Sequence, residues 1–195
     1  MVARGSGLEG LDHTEQPVDE RVMEPVVLVG HSMGGMVISA AAQARPDDVE
    51  ALVYVAAYLP QDGQSLLDLA FMDPGSLVGE HLIDNGDGTT SIEEEFIGEV
   101  FCGECSARDV MLLQDEHRPE PGAPLATPIA LDDEAFGSVP RLYVRTSEDQ
   151  VVSPLLQDQM LLATPADGEA TIDTSHSPML SDPSGLATAI VELLE

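Results

Sequence analysis

Lysine is absent from the 195-residue chain, and so is tryptophan. The basic residues are seven arginines (Arg4, Arg21, Arg45, Arg108, Arg118, Arg141 and Arg145) against 36 acidic residues, a formal net charge of -29. Nucleic acid and anionic membrane both require basic patches, so neither is an expected partner. No apolar run approaches the roughly 18 residues of a membrane span. The first ten residues, MVARGSGLEG, lack the apolar stretch of a secretory signal, and a cytoplasmic location is the expectation. Two cysteines are too few for a disulfide-rich secreted scaffold. What remains is a chain with 43% hydrophobic residues, enough for a buried core and suited to about one domain.

The charge has its own consequence. At low salt, self-repulsion at this charge opposes compaction. Near 1 M salt the Debye length falls to about 3 Å and most of that repulsion vanishes. The composition resembles that of proteins adapted to a salty cytoplasm. Codon bias in a GC-rich genome would account for arginine in place of lysine, but not for the acidic excess.

The order of elements predicts an α/β fold. Pro25-Val26-Val27-Leu28-Val29 reads as a strand buried on both faces, Gly30 to Gly35 as a tight turn, and Met36 to Ala44 as a helix rich in small residues. Ala51 to Ala57 is a second buried strand, which completes a βαβ unit and implies a parallel sheet. Between about 60 and 130 the pattern changes. Leu66 to Phe71 suggests a short helix, His81 to Ile92 a hairpin, and Glu93 to Phe101 and Ala107 to His117 two helices, the second capped by Ser106 with Asp109. RPEPGAPLATP reads as a proline-rich linker. The α/β order then returns. Arg141 to Val144 is a strand, Ser153-Pro154 opens a helix to about Leu162, and Ala170 to Asp173 is a strand. Leu186, Ile190, Leu193 and Leu194 mark a closing helix.

Gly30-His31-Ser32-Met33-Gly34 fits the G-x-S-x-G pattern, and it stands where the pattern acquires chemical meaning, after a strand and before a helix. Such a turn lifts the serine hydroxyl above the sheet edge, and the following N–H, on Met33, is placed to meet a developing oxyanion. A dinucleotide-binding turn is disfavoured because G-x-G-x-x-G is missing. A serine also needs a base. His13, His81 and His117 lie on the wrong side of any suitable acid or strand, and His31 is better suited to supporting the turn. His176, just past the last strand, falls on the sheet edge where α/β folds place their ligands. Asp149 follows the RLYV strand on that same edge and is the candidate acid, with Glu148 as the alternative.

These segments together resemble the α/β-hydrolase superfamily. VVLVGHSMGGMVISAAAQARPDDVEALVYVAAYLPQDGQS is similar to the branch that holds plant methylesterases, salicylate-binding esterase-type proteins and hydroxynitrile lyases. VPRLYVRTSEDQVVSPLLQDQM and DTSHSPMLSDP match its acid and histidine segments. The resemblance implies a mostly parallel sheet with helices on both faces and an inserted lid. It implies a core in two parts, 1–59 and 131–195, around a lid at 60–130. It also implies Ser32 as nucleophile, His176 as base, Asp149 as its orienter, a small ester as substrate and no cofactor. Phe71, Phe101, Met111 and Leu112 are candidate pocket residues on the lid. The lyases of this branch that use a lysine carry it directly after the histidine; Ser177 stands there, which favours ester hydrolysis.

One departure stands out. A fold of this kind places about four strands ahead of the nucleophile strand, on the order of 60 residues or more. Only 24 precede Pro25. The expectation is a fold without its N-terminal strands and without the loop that supplies a second oxyanion N–H, with Gly7 to Val22 as the tail of the lost half. A non-catalytic remnant or a ligand-binding module is then the rival reading. The nucleophile strand would become an apolar edge, and a second copy of the chain is one way to cover it. Cys102-Gly103-Glu104-Cys105 has no second C-x-x-C to complete a zinc site, and it reads as a pair of structural or incidental thiols. Asp84 to Glu95 imitates a calcium loop, but Thr89 replaces the required glycine.

Overall fold

A computed structural model describes residues 24–195; the reading of Gly7 to Val22 lies outside the described residues. In chain order the elements are β1 (Val26–His31), α1 (Gly34–Ala44), β2 (Val49–Val55), α2 (Leu66–Ala70), β3 (Leu82–Asp84), β4 (Thr89–Ile92), α3 (Ile97–Phe101), α4 (Ala107–Glu116), β5 (Glu120–Pro121), α5 (Gly122–Leu125), β6 (Arg141–Thr146), α6 (Pro154–Ala163), β7 (Gly168–Ile172), α7 (Pro178–Ser181) and α8 (Pro183–Leu193). The main sheet runs β1-β2-β6-β7 with every pair parallel.

Helices cover both faces of this sheet. On one, Ile38 and Ala42 of α1 and Leu156, Met160 and Leu161 of α6 pack with Leu52, Tyr54 and Tyr143. On the other, Ala189 of α8, with Leu186, Ile190 and Leu193, covers Ala51, Val53, Val55, Leu142 and Val144. Leu194, expected on the same helix face, is 43% exposed because α8 ends at Leu193. Buried tyrosines satisfy their hydroxyls inside the core. Tyr143 Oη donates to the Ala57 carbonyl at 2.7 Å, and Tyr54 Oη shares a 2.7 Å hydrogen bond with Ser39 Oγ. The small residues of α1 have a use here. A Cβ at Gly35 would lie 2.1 Å from the Tyr58 carbonyl oxygen, so only glycine allows the helix this close to the chain leaving β2.

Two expectations need correction. β1 is not buried on both faces: Val26 is 43% and Val29 51% exposed. Its apolar composition matches a central strand, but among the described residues it pairs with β2 alone. The proline-rich stretch after His117 is not a linker. Glu120 pairs with Thr90, and Gly122 N donates to Gly88 O at 2.9 Å, so β5 joins the β3–β4 hairpin as a second, three-stranded sheet. Proline is tolerated because β5 is a short edge strand.

Residues 60–130, which carry this second sheet, are fastened to the α/β core by buried polar contacts. Asp73 accepts from Ser153 N at 2.8 Å and from Ser153 Oγ at 2.5 Å, and Leu77 N donates to Gln150 O at 2.8 Å. These contacts fasten the segment to the loop that follows β6.

Candidate active site

β1 ends at His31 and α1 begins at Gly34, so the chain reverses over two residues. Ser32 absorbs that reversal with φ of 55°, a left-handed conformation that costs a non-glycine residue of order 1–3 kcal/mol. The surroundings hold it there. Ser32 N donates to Val55 O at 3.3 Å, while Ser32 O accepts from Gly35 N and Tyr58 N, each at 3.1 Å. Gly30 lets α1 approach, since a Cβ there would meet Gly34 O at 2.7 Å.

The acid and the imidazole are assembled from the loops after β6 and β7. Asp149 is 3% exposed, and each of its oxygens is occupied. Oδ1 accepts from Val151 N at 2.8 Å and Val152 N at 2.9 Å, and Oδ2 accepts from Thr146 Oγ1 at 2.8 Å. His176 Nδ1 lies 2.9 Å from Asp149 Oδ2 and 3.1 Å from Oδ1. A carboxylate only accepts, so Nδ1 carries a proton, and in the neutral imidazole Nε2 presents its lone pair. That Nε2 is buried and has no hydrogen-bond partner among the described residues. An orphaned buried acceptor is costly, and its position calls for a donor such as a hydroxyl.

His31 ties the serine turn to the histidine loop. Its Nε2 donates to the His176 carbonyl at 2.7 Å, and the two rings lie 4.6 Å apart. Burial first, and the neighbouring His176 second, lower its pKa from 6.5 to about 4. It therefore stays neutral and keeps its proton on Nε2. Glu148, the alternative acid, is exposed, and it serves only through its backbone N–H to Thr174 O at 3.0 Å.

A cavity of about 290 Å³ opens beside Ser32, lined by Met33, Tyr58, Phe101, Leu125 and Val151 among others. A larger apolar groove of about 720 Å³ between α1 and residues 120–129 shares Met33, Leu66, Glu120 and Leu125 with it. Of the candidate pocket residues, Phe101 lines the cavity, with its ring 6.1 Å from that of His176. Phe71 is 85%, Met111 62% and Leu112 49% exposed, and none of them lines it. An aromatic or methionine on a short helix gives no sign of which way that helix faces, and these face outward. Tyr58, Thr146 and Val151 escaped the sequence reading because nothing in their spacing marks them; folding alone brings them to the site. No group of three or more potential metal ligands occurs among the described residues. The cysteines are not free thiols: Cys102 and Cys105 form a disulfide.

Several proteins similar to this chain are named esterases or hydrolases. "Putative methylesterase 11, chloroplastic" of Arabidopsis thaliana is 28% identical over 180 residues, covering 87% of this chain and 46% of that protein. The pyrethroid hydrolase of Sphingobium wenxiniae is 29% identical over 199 residues, covering 95% of this chain and 70% of that protein. The chain spans about half the length of the first of these curated relatives. Among solved structures, a pyrethroid hydrolase from Sphingobium faniae JZ-2 superimposes with a TM-score of 0.75 at 27% identity, over 88% of this chain and 71% of the other. The family model described as the alpha/beta hydrolase family matches residues 4–189. With its parallel sheet clothed by helices on both faces and its strand-turn-helix at Ser32, the chain belongs to the alpha/beta hydrolase family and has the α/β-hydrolase fold.

Proposed function

We propose that this chain carries the active centre of a serine carboxylic ester hydrolase acting on a small ester, with no cofactor. The observation that carries the reading is the buried Nε2 of His176, unpartnered among the described residues and backed by Asp149, on a loop that His31 joins to the strained turn at Ser32. In this reading Nε2 takes the Ser32 proton as the hydroxyl attacks the ester carbonyl. Asp149 holds the imidazole and stabilises the imidazolium that forms. The Met33 N–H, at the start of α1, binds the oxyanion. His176 then passes its proton to the leaving alcohol, leaving an acyl-enzyme that water clears by the same steps in reverse. Residues 60–130 act as the lid. Most of the cavity lining is apolar, which suits the body of a small ester, and Arg118 and Glu120 are the charged residues in its wall.

Relatives named as a methylesterase and as pyrethroid hydrolases support ester hydrolysis, and Ser177 in place of a lysine after the histidine weighs against cyanohydrin cleavage. The test is labelling by a fluorophosphonate in multimolar KCl. The wild-type protein takes one label per chain and Ser32→Ala takes none. Folded protein that stays unlabelled, or equal labelling of Ser32→Ala, removes the nucleophile assignment. Labelling without ester turnover favours the rival, a fold that keeps the triad but not its full chemistry.

A further inference from the structure

The Cys102-Gly103-Glu104-Cys105 segment joins α3 to α4, and the proposed chemistry leaves it without a role. The disulfide closes it into a small loop, with the two Cα atoms 5.2 Å apart and Cys105 N donating to Cys102 O at 3.1 Å. Cys102 anchors one end at 1% exposure. At the tip, Glu104 reaches across 71 residues and accepts the Ser175 N–H at 2.8 Å. Ser175 is 2% exposed and immediately precedes His176. Burial raises the Glu104 pKa, but hydrogen bonds, first from Ser175 and then from Ser181, outweigh that and lower it overall, so the contact is charge-assisted. Phe101, the residue before the loop, faces the His176 ring.

The histidine loop is thus gripped from three sides. His31 holds the His176 carbonyl, Glu148 N holds Thr174 O, and Glu104 holds Ser175 N. The third grip differs from the others because it comes from within a loop closed by a bond that can be made and broken chemically. We propose that Glu104 is a positioning residue for His176, and that the Cys102–Cys105 disulfide sets its grip, so that the redox state of this pair tunes the reactivity of Ser32. The proposal rests on the serine-hydrolase reading.

The redox step needs an external dithiol. Its thiolate attacks Cys105 Sγ, the less buried end, to give a mixed disulfide and a Cys102 thiolate that takes up a proton. The second thiol of the reductant then displaces Cys105 as a thiol. Two electrons and two protons pass to the cysteines, and the dithiol leaves as a disulfide. The loop is then free to relax, and Glu104 to leave Ser175.

The test follows the rate of fluorophosphonate labelling of Ser32 in four proteins, each with and without dithiothreitol: wild type, Glu104→Ala, Glu104→Gln, and Cys102→Ser/Cys105→Ser. Hydrogen exchange at the Ser175 amide is measured alongside, and thermal melting checks that each variant folds. Glu104→Ala is expected to label about tenfold more slowly, and Glu104→Gln, which keeps an acceptor, only about threefold. Reduction slows the wild type and deprotects Ser175. It leaves Glu104→Ala unchanged, because two changes acting through one contact are not additive. For a loop that is merely structural, reduction would act equally on wild type and Glu104→Ala, and that result overturns the proposal. So does wild-type labelling by Glu104→Ala. Absence of label in the oxidised wild-type protein overturns the hydrolase reading itself, and this proposal with it.

Discussion

Replacing Asp149 with asparagine swaps one oxygen for an amide nitrogen and leaves the shape almost unchanged. The carboxylate serves four donors: Val151 N and Val152 N on Oδ1, and Thr146 Oγ1 and His176 Nδ1 on Oδ2. An amide can accept on one side only. The two backbone N–H groups cannot reverse, so the amide oxygen must stay with them and the NH2 must turn to Thr146 and His176. A threonine hydroxyl can rotate to accept. Histidine can respond only by moving its proton from Nδ1 to Nε2, and Nε2 then has no lone pair to take the Ser32 proton. The expected loss is about 10⁴ in kcat, or about 5 kcal/mol at 1.36 kcal/mol per decade. Folding is affected far less, by about 1–3 kcal/mol, since every partner keeps a hydrogen bond of some kind. Hydrolysis of a p-nitrophenyl ester in multimolar KCl, with thermal melting alongside, separates the two effects. A folded Asp149→Asn that keeps activity within about tenfold of wild type would refute the tautomer argument, and with it the role given to His176.

Other consequences are open to simple measurement. Gly35→Ala puts a Cβ 2.1 Å from Tyr58 O, which forces α1 away from the turn; a loss of about 3 kcal/mol in urea unfolding is expected, and an unchanged midpoint would contradict the packing. His31 has its pKa lowered from 6.5 to about 4 in the fold, so the unfolded chain binds its proton first as pH falls. Its contribution is whole above pH 6.5 and is lost on acidification toward pH 4, to the extent of about 3 kcal/mol. In His31→Gln the stability-against-pH curve should flatten in that window, and an unaltered slope would place the acid sensitivity elsewhere. The net charge of -29 predicts a melting temperature that climbs as KCl is raised from low to molar concentration. Circular dichroism and melting that ignore salt would count against adaptation to a salty interior.

Much of this protein was legible because its signals are local. A β-branched run, then glycines around a serine, then alanines, announces strand, turn and helix within about 20 residues. The caps at Ser106 and Ser153 fall at helix starts, where a hydroxyl satisfies an otherwise free N–H. Ser32, Asp149 and His176 were legible as candidates because each follows a strand of a sheet whose pairs are all parallel, so the three strand ends share one edge. The reading failed where the answer depended on what lies across space. The composition of β1 could not say that it has one sheet neighbour among the described residues. Nothing in residues 118–128 foretold that Glu120 would pair with Thr90.

The sequence alone determined the α/β class, the strand-turn-helix at Ser32 and the net charge of -29, since each follows from neighbouring residues or from composition. Tertiary structure decided the rest. It paired His176 with Asp149 and not with the adjacent Glu148, turned Phe101 toward the cavity and Phe71 outward, bonded His31 to the His176 carbonyl, and brought Glu104 against Ser175. Each of those choices depends on which side chains meet after the chain has folded back over tens of residues, and no periodicity in the sequence encodes that meeting.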